Sequence, residues 1–439
     1  MHFFHYRDGK LHCEDVDLAR VAEEFGTPLY VYSAGTILDH YTRLDAALAA
    51  LNHLICYAVK ANSNRAILQL LADAGAGFDI VSGGELHRVL AAGGNPAKCT
   101  FAGVGKSREE IEYALDQRVY SFNVESEAEL EYIDRIAGTK NLRAPVAIRV
   151  NPDIDPRTHE YISTGSHENK FGIALDRIPA VYERAAEMRN IDIVGVQMHI
   201  GSQITETAPF GNAIAKVAPI VRDLKSRYPI KFFSIGGGLG IVYESSFESG
   251  AQEWWGSRTI TNTRPLSIQQ YVDAILPALR ELGLQILLEP GRLLVGNAGV
   301  LLTRVRYIKH SGEKKFAIVD AGMNDLIRPA LYHSYHEIVP VEEPSTSKSM
   351  SKITSKTENV DIVGPVCESG DFFALDREMP EVREGDLLAI MSAGAYGFVM
   401  ASNYNSRPLP AEALVRGNKF GLIRKRQTWK DLVRDEVEA

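Results

Sequence analysis

The sequence predicts an α/β protein: a (β/α)₈ barrel followed by a C-terminal all-β domain. Short apolar segments alternate with amphipathic helical patterns over about 235 residues, close to the ~250 residues typical of such a barrel. After Gly291 the pattern changes to strands separated by turns, with little helix between them. The length of 439 residues, at ~150 residues per domain, agrees with two or three domains.

Eight segments rich in branched apolar residues are the candidate barrel strands. They are LICYAVK (54–60), GFDIVS (77–82), CTFAG (99–103), SFNVES (121–126), PVAIRVN (145–151), IVGVQMHI (193–200), FFSIGGG (232–238) and LQILLEP (284–290).

Helical patterns separate these strands, as in NRAILQLLADAG, GELHRVLAAGG, SREEIEYALDQ and EAELEYIDRIAG. In the first, Ile67, Leu70, Leu71 and Ala74 recur at helical spacing and Gly75 ends the helix. Near-continuously apolar strands between helices indicate a parallel sheet that is buried on both faces. An open doubly wound sheet is the alternative, but AVKANSN after the first strand lacks its glycine-rich fingerprint, so the barrel is favoured.

The predicted domains are a barrel over residues 36–285 and a β-domain over 286–439, with residues 1–35 packing on the β-domain. Four segments indicate the strands of that domain: GVLLTRVRYIK, KKFAIVDAG, NVDIVGPVCE and GDLLAIMSAGAYG. The Ser/Thr/Lys-rich tract 342–358 has hardly any large apolar residue, which predicts a mobile surface loop.

Composition and charge exclude several classes of protein. Lys plus Arg is 48 and Asp plus Glu is 56, a net charge of −8, so nothing indicates binding to nucleic acid or to anionic lipid. No apolar run is long enough to span a membrane. The N-terminus lacks a signal-peptide pattern, and four widely spaced cysteines form neither a metal motif nor a disulfide framework. We therefore expect a cytoplasmic protein without a metal.

Residues with reactive or anion-binding groups lie at the ends of the predicted barrel strands, with Asp79 within its strand, and the carboxyl ends of those strands are where such barrels place their active sites. They are Lys60, Asp79, Arg149, His199, Ser202, the glycine run 236–240, Glu289 and Arg292.

Each of these signals has an ordinary structural explanation as well as a functional one. Lys60 is a solvated lysine or an amine that forms a Schiff base. The run 236–240 is a turn or a phosphate-binding loop, and His199 is a core residue or a ring that stacks on a ligand. Glu289 and Arg292 form a surface ion pair or bind a heterocyclic nitrogen and an anion. Together they match the groups that pyridoxal phosphate requires.

Longer motifs strengthen this interpretation. AVKAN, FDIVSGGE, HIGSQ, GGGLG and EPGR resemble those of the fold-type III pyridoxal phosphate decarboxylases. TGSHENKFGI (164–173), IRPALY (327–332), GPVCESGD (364–371) and SAGAYG (392–397) are most similar to the diaminopimelate decarboxylase branch. The resemblance extends from about Thr27 to Ile423, excluding the tract 342–358.

The resemblance implies decarboxylation of meso-diaminopimelate to L-lysine and CO₂, the last step of lysine biosynthesis. It also implies a role for each matching residue. For the cofactor, Lys60 forms the Schiff base, His199 stacks on the ring, Glu289 pairs with the pyridine nitrogen, and Ser202, Gly236, Gly237 and Gly238 contact the phosphate. Asp79, Arg149, Pro290, Gly291, Arg292 and Tyr396 also lie at the cofactor. For the substrate, Arg292, Arg328 and Tyr332 bind carboxylate, Glu368 binds an amine, Tyr396 contacts it, and Cys367 protonates the α-carbon.

The resemblance further implies a homodimer with shared active sites, in which Cys367 and Glu368 reach the partner's barrel. Alternatives are a decarboxylase for carboxynorspermidine, arginine or ornithine, a non-catalytic binding protein, and a barrel-only cofactor carrier. Arg328 with Glu368 favours a substrate whose far end carries both charges. Lys60 and Cys367 argue against a non-catalytic protein, Glu289 against a racemase, and the long β-domain against a cofactor carrier.

Overall fold

The structure, a computed structural model, describes residues 1–155, 170–256, 265–343 and 357–438. The chain divides into two compact units. Unit 1 consists of Met1–Ile37, Val242–Thr261 and Val295–Ala439, and unit 2 of Leu38–Ile241 and Asn262–Leu294.

The N-terminal part of unit 1 is a small sheet followed by a helix and a buried strand. Strands β1 (Phe4–Arg7), β2 (Lys10–Cys13) and β3 (Val16–Asp17) form an antiparallel sheet. Helix α1 (Leu18–Phe25) begins where the Asp17 side chain accepts a hydrogen bond from the Ala19 amide. Strand β4 (Leu29–Ser33) is buried at every position.

Unit 2 is a closed barrel of eight parallel strands, as the sequence predicts. Its sheet runs from β9 through β11, β12, β13, β5, β6 and β7 to β8, and β8 pairs with β9 to close it. The short strand β10 pairs parallel with the end of β9. The strands are β5 (His53–Ala58), β6 (Gly77–Ile80), β7 (Cys99–Phe101), β8 (Ser121–Val124), β9 (Ala144–Asn151), β10 (Ile173–Ala174), β11 (Ile191–Met198), β12 (Phe232–Ser234) and β13 (Gln285–Leu288).

Helices connect the barrel strands, and several begin at the Ser or Asn residues that favour helix N-termini. Ser107 forms a capping box with Glu110, and Ser267 forms one with Gln270. The helices are α2 (Ala34–Ala47), α3 (Arg65–Asp73), α4 (Gly83–Ala91), α5 (Arg108–Gln117), α6 (Glu127–Thr139), α7 (Ile178–Glu187), α8 (Ala208–Arg227), α10 (Ile268–Arg280) and α11 (Arg292–Val295).

Two details of the barrel differ from the sequence expectation. The predicted first strand extends to Lys60, but β5 ends at Ala58 and Lys60 lies in the 3₁₀ turn Val59–Ala61. The expected domain boundary at 285/286 falls inside β13, whereas unit 2 continues to Leu294. The apolar pattern of β13 is that of a barrel strand, so a boundary within it would remove the partner of β5.

The rest of unit 1 is a mixed sheet in the order β18, β17, β15, β14, β4, β20, β21, to which β19 and β16 add through β14. Its strands are β14 (Gly299–Ser311), β15 (Lys314–Val319), β16 (Ile338–Pro340), β17 (Thr357–Val363), β18 (Phe372–Pro380), β19 (Leu387–Ile390), β20 (Ala411–Arg416) and β21 (Lys419–Arg424). Its helices are α9 (Gln252–Gly256), α12 (Arg328–Tyr332) and α13 (Trp429–Leu432).

Strand β4 joins the N-terminal segment to this sheet. It pairs antiparallel with β14 and parallel with β20. Leu29 and Val31 pack in one apolar core with side chains of the small N-terminal sheet and of β14, β19 and β20. Unit 1 thus has a core that draws on both ends of the chain.

Two sequence expectations concern parts of the chain outside the described residues. The predicted mobile loop at 342–358 lies mostly there, as do residues 164–169 of the motif TGSHENKFGI. Among the residues that are described, no helix has the length and apolarity needed to cross a membrane.

Candidate active site

The amine of Lys60 lies beside a buried carboxylate at the end of strand β5. Ala58, two residues before Lys60, lies opposite Asp79 in the pairing of β5 with β6. Lys60 Nζ donates a hydrogen bond to Asp79 Oδ2 at 2.6 Å. The Asp79 side chain is 1% exposed and that of Lys60 is 39% exposed. The Asp79 carboxylate therefore fixes an amine that solvent and ligands can still reach.

Glu289, directly after β13, is held by donors from three other strands. Its Oε1 accepts from Ser234 Oγ at 2.6 Å and from Asn123 Nδ2 at 3.4 Å. Its Oε2 accepts from Gln197 Nε2 at 3.1 Å. Burial and the nearby Asp79 raise the pKa of Glu289 to about 7, against the opposing effects of Ser234, Lys60 and Gln197. Glu289 is thus a carboxyl group that can hold or release a proton near neutral pH.

The glycine run after β12 forms a narrow turn against two neighbouring strand ends. A Cβ on Gly237 would lie 2.2 Å from the carbonyl oxygen of Glu289. Gly238 has φ +111° and is similarly close to the carbonyl oxygen of Gly201, at 2.6 Å. Only glycine fits at these two positions, so no side chain of the turn itself keeps a ligand away from its backbone. Such a turn is suited to an anion.

A second loop, residues 199–204 after β11, is hydrogen-bonded to the glycine turn. The Ile204 amide donates to the Gly238 carbonyl and the Gly240 amide donates to the Ile204 carbonyl, each at 2.9 Å. Both ends of the Gln203 side-chain amide bond the backbone of Ile241. The two loops therefore form one structure at the carboxyl end of the barrel.

His199 is held by the glycine turn in its neutral form. The Gly237 amide donates to His199 Nδ1 at 3.2 Å, so the neutral ring carries its proton on Nε2. Burial, with the positive charges of Arg149 and Lys60, lowers the pKa of His199 well below its ordinary value. A fixed, neutral, flat ring is suited to stacking on an aromatic ligand.

The two arginines predicted near the cofactor have different contacts. Arg149 Nη1 contacts both carboxylate oxygens of Glu125, at 2.9 and 3.1 Å, and Nη2 donates to the His199 carbonyl at 3.4 Å. Arg292 Nη2 donates to Ser202 Oγ at 3.2 Å. Arg149 thus orients the loop that carries His199, while Arg292 lies beside a hydroxyl of that loop.

The remaining predicted barrel residues connect the Glu289 and Lys60 segments. The Ala58 amide donates to the Pro290 carbonyl at 3.0 Å, and a Cβ on Gly291 would lie 3.0 Å from Ala61 Cβ. This close approach positions the turn with Lys60 against the segment after Glu289. Unit 2 therefore brings together the predicted residues Lys60, Asp79, Arg149, His199, Ser202, Gly236, Gly237, Gly238, Glu289, Pro290, Gly291 and Arg292.

The other predicted residues lie in unit 1. Arg328, which is buried, begins α12, and Tyr332 ends it. Cys367 and Glu368 are exposed in the segment between β17 and β18. Tyr404 Oη donates to Glu368 Oε2 at 2.9 Å.

Tyr396 has an unusual backbone conformation. Its φ is +55°, in the left-handed region that bulky residues rarely adopt. It follows β19 between two glycines whose added Cβ atoms would contact other backbone, Gly394 and Gly397. A bulky residue held in this conformation is typical of functional sites, where the surrounding structure maintains the strain.

Comparison with known proteins places these residues in a family. Residues 34–296 match the family model described as pyridoxal-dependent decarboxylase, pyridoxal binding domain. A diaminopimelate decarboxylase of Pseudomonas aeruginosa is 48% identical over 437 residues, covering 99% of both chains. That of Aquifex aeolicus is 45% identical over 99% of this chain and 98% of its own. The chain belongs to the diaminopimelate decarboxylase family.

Solved structures of this family have the same fold along the whole chain. Diaminopimelate decarboxylase from Helicobacter pylori, complexed with L-lysine, superposes with a TM-score of 0.86 at 40% identity, covering 95% of this chain and 98% of its own. The M. jannaschii enzyme in co-complex with L-lysine gives 0.88 at 36% identity, covering 99% and 98%. A lysine decarboxylase from Selenomonas ruminantium, at 21% identity, shows the fold alone.

The barrel residues fit the cofactor of the pyridoxal-dependent decarboxylase family. An accessible amine, a turn that only glycine can form, a flat neutral ring and a buried carboxylate lie at one end of one barrel. Two buried acceptors, Asp79 Oδ1 and Gln197 Oε1, have no hydrogen-bond partner among the described residues. A buried acceptor without a partner costs free energy, so such groups are usually found where a ligand supplies the missing donor.

The sequence analysis did not identify four residues whose side chains hold two of the predicted site residues, Glu289 and Arg149. Ser234, Gln197 and Asn123 bond Glu289, and Glu125 bonds Arg149. All lie in or directly after barrel strands. A polar residue within an otherwise apolar strand was the available signal, since such a side chain inside a barrel needs a partner.

Proposed function

We propose that the protein is a pyridoxal phosphate-dependent diaminopimelate decarboxylase that converts meso-diaminopimelate to L-lysine and CO₂. The observation that carries the proposal is the alignment of both units, end to end, with relatives of that name at 48% identity. The barrel site supports it because its groups match the requirements of the cofactor.

Bound pyridoxal phosphate supplies the electron sink that stabilises the carbanion left when CO₂ departs. Lys60 would hold its aldehyde carbon, and the turn Gly236–Gly238 with Ser202 its phosphate. His199 would lie on the ring face, and Glu289 would accept a hydrogen bond from the ring nitrogen. A protonated ring nitrogen would add a positive partner there and favour the ionised form of Glu289.

Asp79 orients the amine of Lys60 through their hydrogen bond. An amine is nucleophilic only when it is unprotonated, and the Asp79 carboxylate is the group that faces the Lys60 amine, at 2.6 Å. The same contact would keep the Lys60 amine at the carboxyl end of the barrel, where it can hold or return a proton.

Unit 1 supplies the residues that the proposal assigns to the substrate. Arg328 and Tyr332 bind a carboxylate and Glu368 binds an amine, while Tyr396 contacts substrate and cofactor. Cys367 delivers the proton to the α-carbon; its thiol is exposed and its amide donates to Asn405 Oδ1. These roles, and a homodimer in which Cys367 and Glu368 serve the partner's barrel, rest on the family resemblance. A cytoplasmic location stays a prediction from the sequence.

The direct test is product analysis with the purified protein and added pyridoxal phosphate. We expect CO₂ and L-lysine from meso-diaminopimelate, and at most trace CO₂ from ornithine, arginine or carboxynorspermidine. Lys60→Ala is the matched control, since it removes the amine and leaves the barrel intact. Preferential turnover of one of the other amino acids would contradict the substrate assignment and leave the cofactor assignment standing.

A further inference from the structure

Arg328 is the centre of a buried group of side chains in unit 1. Its guanidinium carbon lies 4.7 Å from the ring centroid of Tyr243. Nη1 is 2.9 Å from His336 Nε2, and Nη2 donates to Ser334 Oγ at 3.3 Å. We call Tyr243, Arg328, Ser334 and His336 the arginine cluster. The contacts with His336 and Ser334 hold the guanidinium in its plane, and the Tyr243 ring packs against one of its faces.

The contacts of His336 determine its protonation state. A guanidinium can only donate hydrogen bonds, so His336 Nε2 must be the acceptor from Arg328. On the other side of the ring, Nδ1 is 2.8 Å from the Met391 carbonyl oxygen, which can only accept. The imidazole is therefore neutral, with its proton on Nδ1, and it joins Arg328 to the backbone of Met391.

The backbone around His336 is hydrogen-bonded to the sheet of unit 1, whereas Arg328 lies on a short helix. The Met391 amide donates to the Glu337 carbonyl at 2.8 Å, and β16 and β19 pair directly beside this contact. Arg377 Nη1 donates to the His336 carbonyl at 3.0 Å. Arg328 itself begins a helix of only five residues. The imidazole thus connects the Arg328 side chain, on a short helix, to the backbone of the sheet and restrains its position.

We propose that His336 is a positioning residue that sets the orientation of the Arg328 guanidinium and so determines selectivity for an amino acid with a second carboxylate. The inference rests on the proposed function, in which Arg328 binds a substrate carboxylate. Arginine recognises a carboxylate through two parallel N–H donors in a fixed plane, so a rotated guanidinium loses much of the contact. The product L-lysine keeps the far-end carboxylate, because decarboxylation removes the carboxylate on the reacting carbon, so L-lysine needs the same orientation of Arg328.

Two substitutions that differ by one methylene separate positioning from simple filling of space. In His336→Asn the side-chain amide still reaches the Met391 carbonyl, but the acceptor for Arg328 is withdrawn. In His336→Gln the longer side chain presents an oxygen to Arg328. The holoenzymes are compared by the KM and kcat for meso-diaminopimelate, by inhibition with L-lysine, and by circular dichroism and thermal melting.

For His336→Asn we expect KM for meso-diaminopimelate to rise about ten- to a hundredfold, the size of one charge-assisted contact. We expect kcat to stay within about threefold of wild type, and the inhibition constant of L-lysine to rise together with KM, since L-lysine uses the same carboxylate contact. His336→Gln should recover most of the lost affinity. If His336→Asn does not fold, Ser334→Ala tests the same cluster and should raise KM and the inhibition constant of L-lysine by a few-fold, without a change in kcat.

Three results would overturn the inference. The first is an unchanged KM in folded His336→Asn, or in Ser334→Ala where that variant replaces it. The second is an inhibition constant of L-lysine that stays unchanged while KM rises, which would show that Arg328 does not hold the far-end carboxylate. The third is a failure of His336→Gln to restore affinity. Failure of the proposed function is distinguishable, because the wild-type protein would then release no CO₂ from meso-diaminopimelate.

Discussion

Glu289 shares the barrel interior with a second carboxyl group, Asp79, and one consequence is a pH dependence of stability. The pKa of Glu289 is raised from its ordinary 4.5 to about 7, chiefly by burial. The folded protein without cofactor therefore binds a proton between these pH values that the unfolded chain has released. Its free energy of unfolding falls as pH rises through this range, by up to about 3 kcal/mol from this group.

Glu289→Gln removes the titrating group, and should therefore remove its contribution to the fall in the free energy of unfolding with rising pH. We expect the cofactor-free variant to unfold at higher denaturant concentration than wild type at pH 8, and the difference to shrink toward pH 4.5. Glu131→Gln, an exposed change on α6, is the control and should follow wild type throughout. Equal pH dependence of Glu289→Gln and wild type would show that Glu289 ionises at its ordinary pKa in the folded protein.

Lys60 provides a second prediction at the level of a single residue. Among the described barrel lysines it is the one whose amine contacts Asp79, so Lys60→Ala should abolish turnover. Borohydride reduction of the wild-type holoenzyme should attach the cofactor to one peptide, the one that contains Lys60, as mass spectrometry can show. Attachment to another lysine would refute the cofactor assignment whatever the substrate.

At the scale of elements, the glycine turn after β12 depends on a backbone approach that no side chain permits. Gly237→Ala places a Cβ within 2.2 Å of the Glu289 carbonyl oxygen, so the turn or the end of β13 must move. We expect at least a tenfold loss of pyridoxal phosphate affinity, measured by fluorescence titration of the cofactor-free protein. Gly211→Ala on α8 meets nothing within 4 Å and should bind normally with slightly higher stability. Normal binding by Gly237→Ala would exclude this turn as the phosphate site.

The elements of the barrel were predictable because their signals are local. All eight strands are found where apolar segments predict them, since a strand buried on both faces must be apolar along its length. The ion pair of Arg149 with Glu125 was not predictable from one sequence. Its partners are 24 residues apart, and only closure of the barrel through β8 and β9 sets them face to face.

Strand ends explain a second limit of the sequence reasoning. The motif with Lys60 was recognised, but not that the lysine lies in a 3₁₀ turn after β5. An apolar run continues through Val59, and its pattern does not show where backbone pairing stops. The donors to Glu289 were missed for a related reason, because Ser234 and Gln197 are polar residues within strands and their common target follows a third strand.

At the scale of the whole molecule, the proposed shared site predicts complementation between inactive variants. Cys367→Ala and Lys60→Ala proteins, each nearly inactive, should regain activity when mixed and allowed to exchange subunits. Random exchange makes half of the dimers hybrids with one competent site of two, so about a quarter of wild-type activity is the ceiling. If native mass spectrometry shows hybrid dimers without recovered activity, Cys367 acts within its own chain or not at all.

The position of β4 has a consequence for biosynthesis of the chain. This strand ends at Ser33, yet it pairs on one side with β14 and on the other with β20, which ends at Arg416. During translation, residues 29–33, with the rings of Tyr30 and Tyr32 that are buried in the folded protein, therefore leave the ribosome long before β14 or β20 is synthesised. The complete barrel emerges meanwhile and can fold first. Until the last strands appear, the nascent N-terminus carries an exposed apolar edge, the kind of segment that chaperones bind during translation.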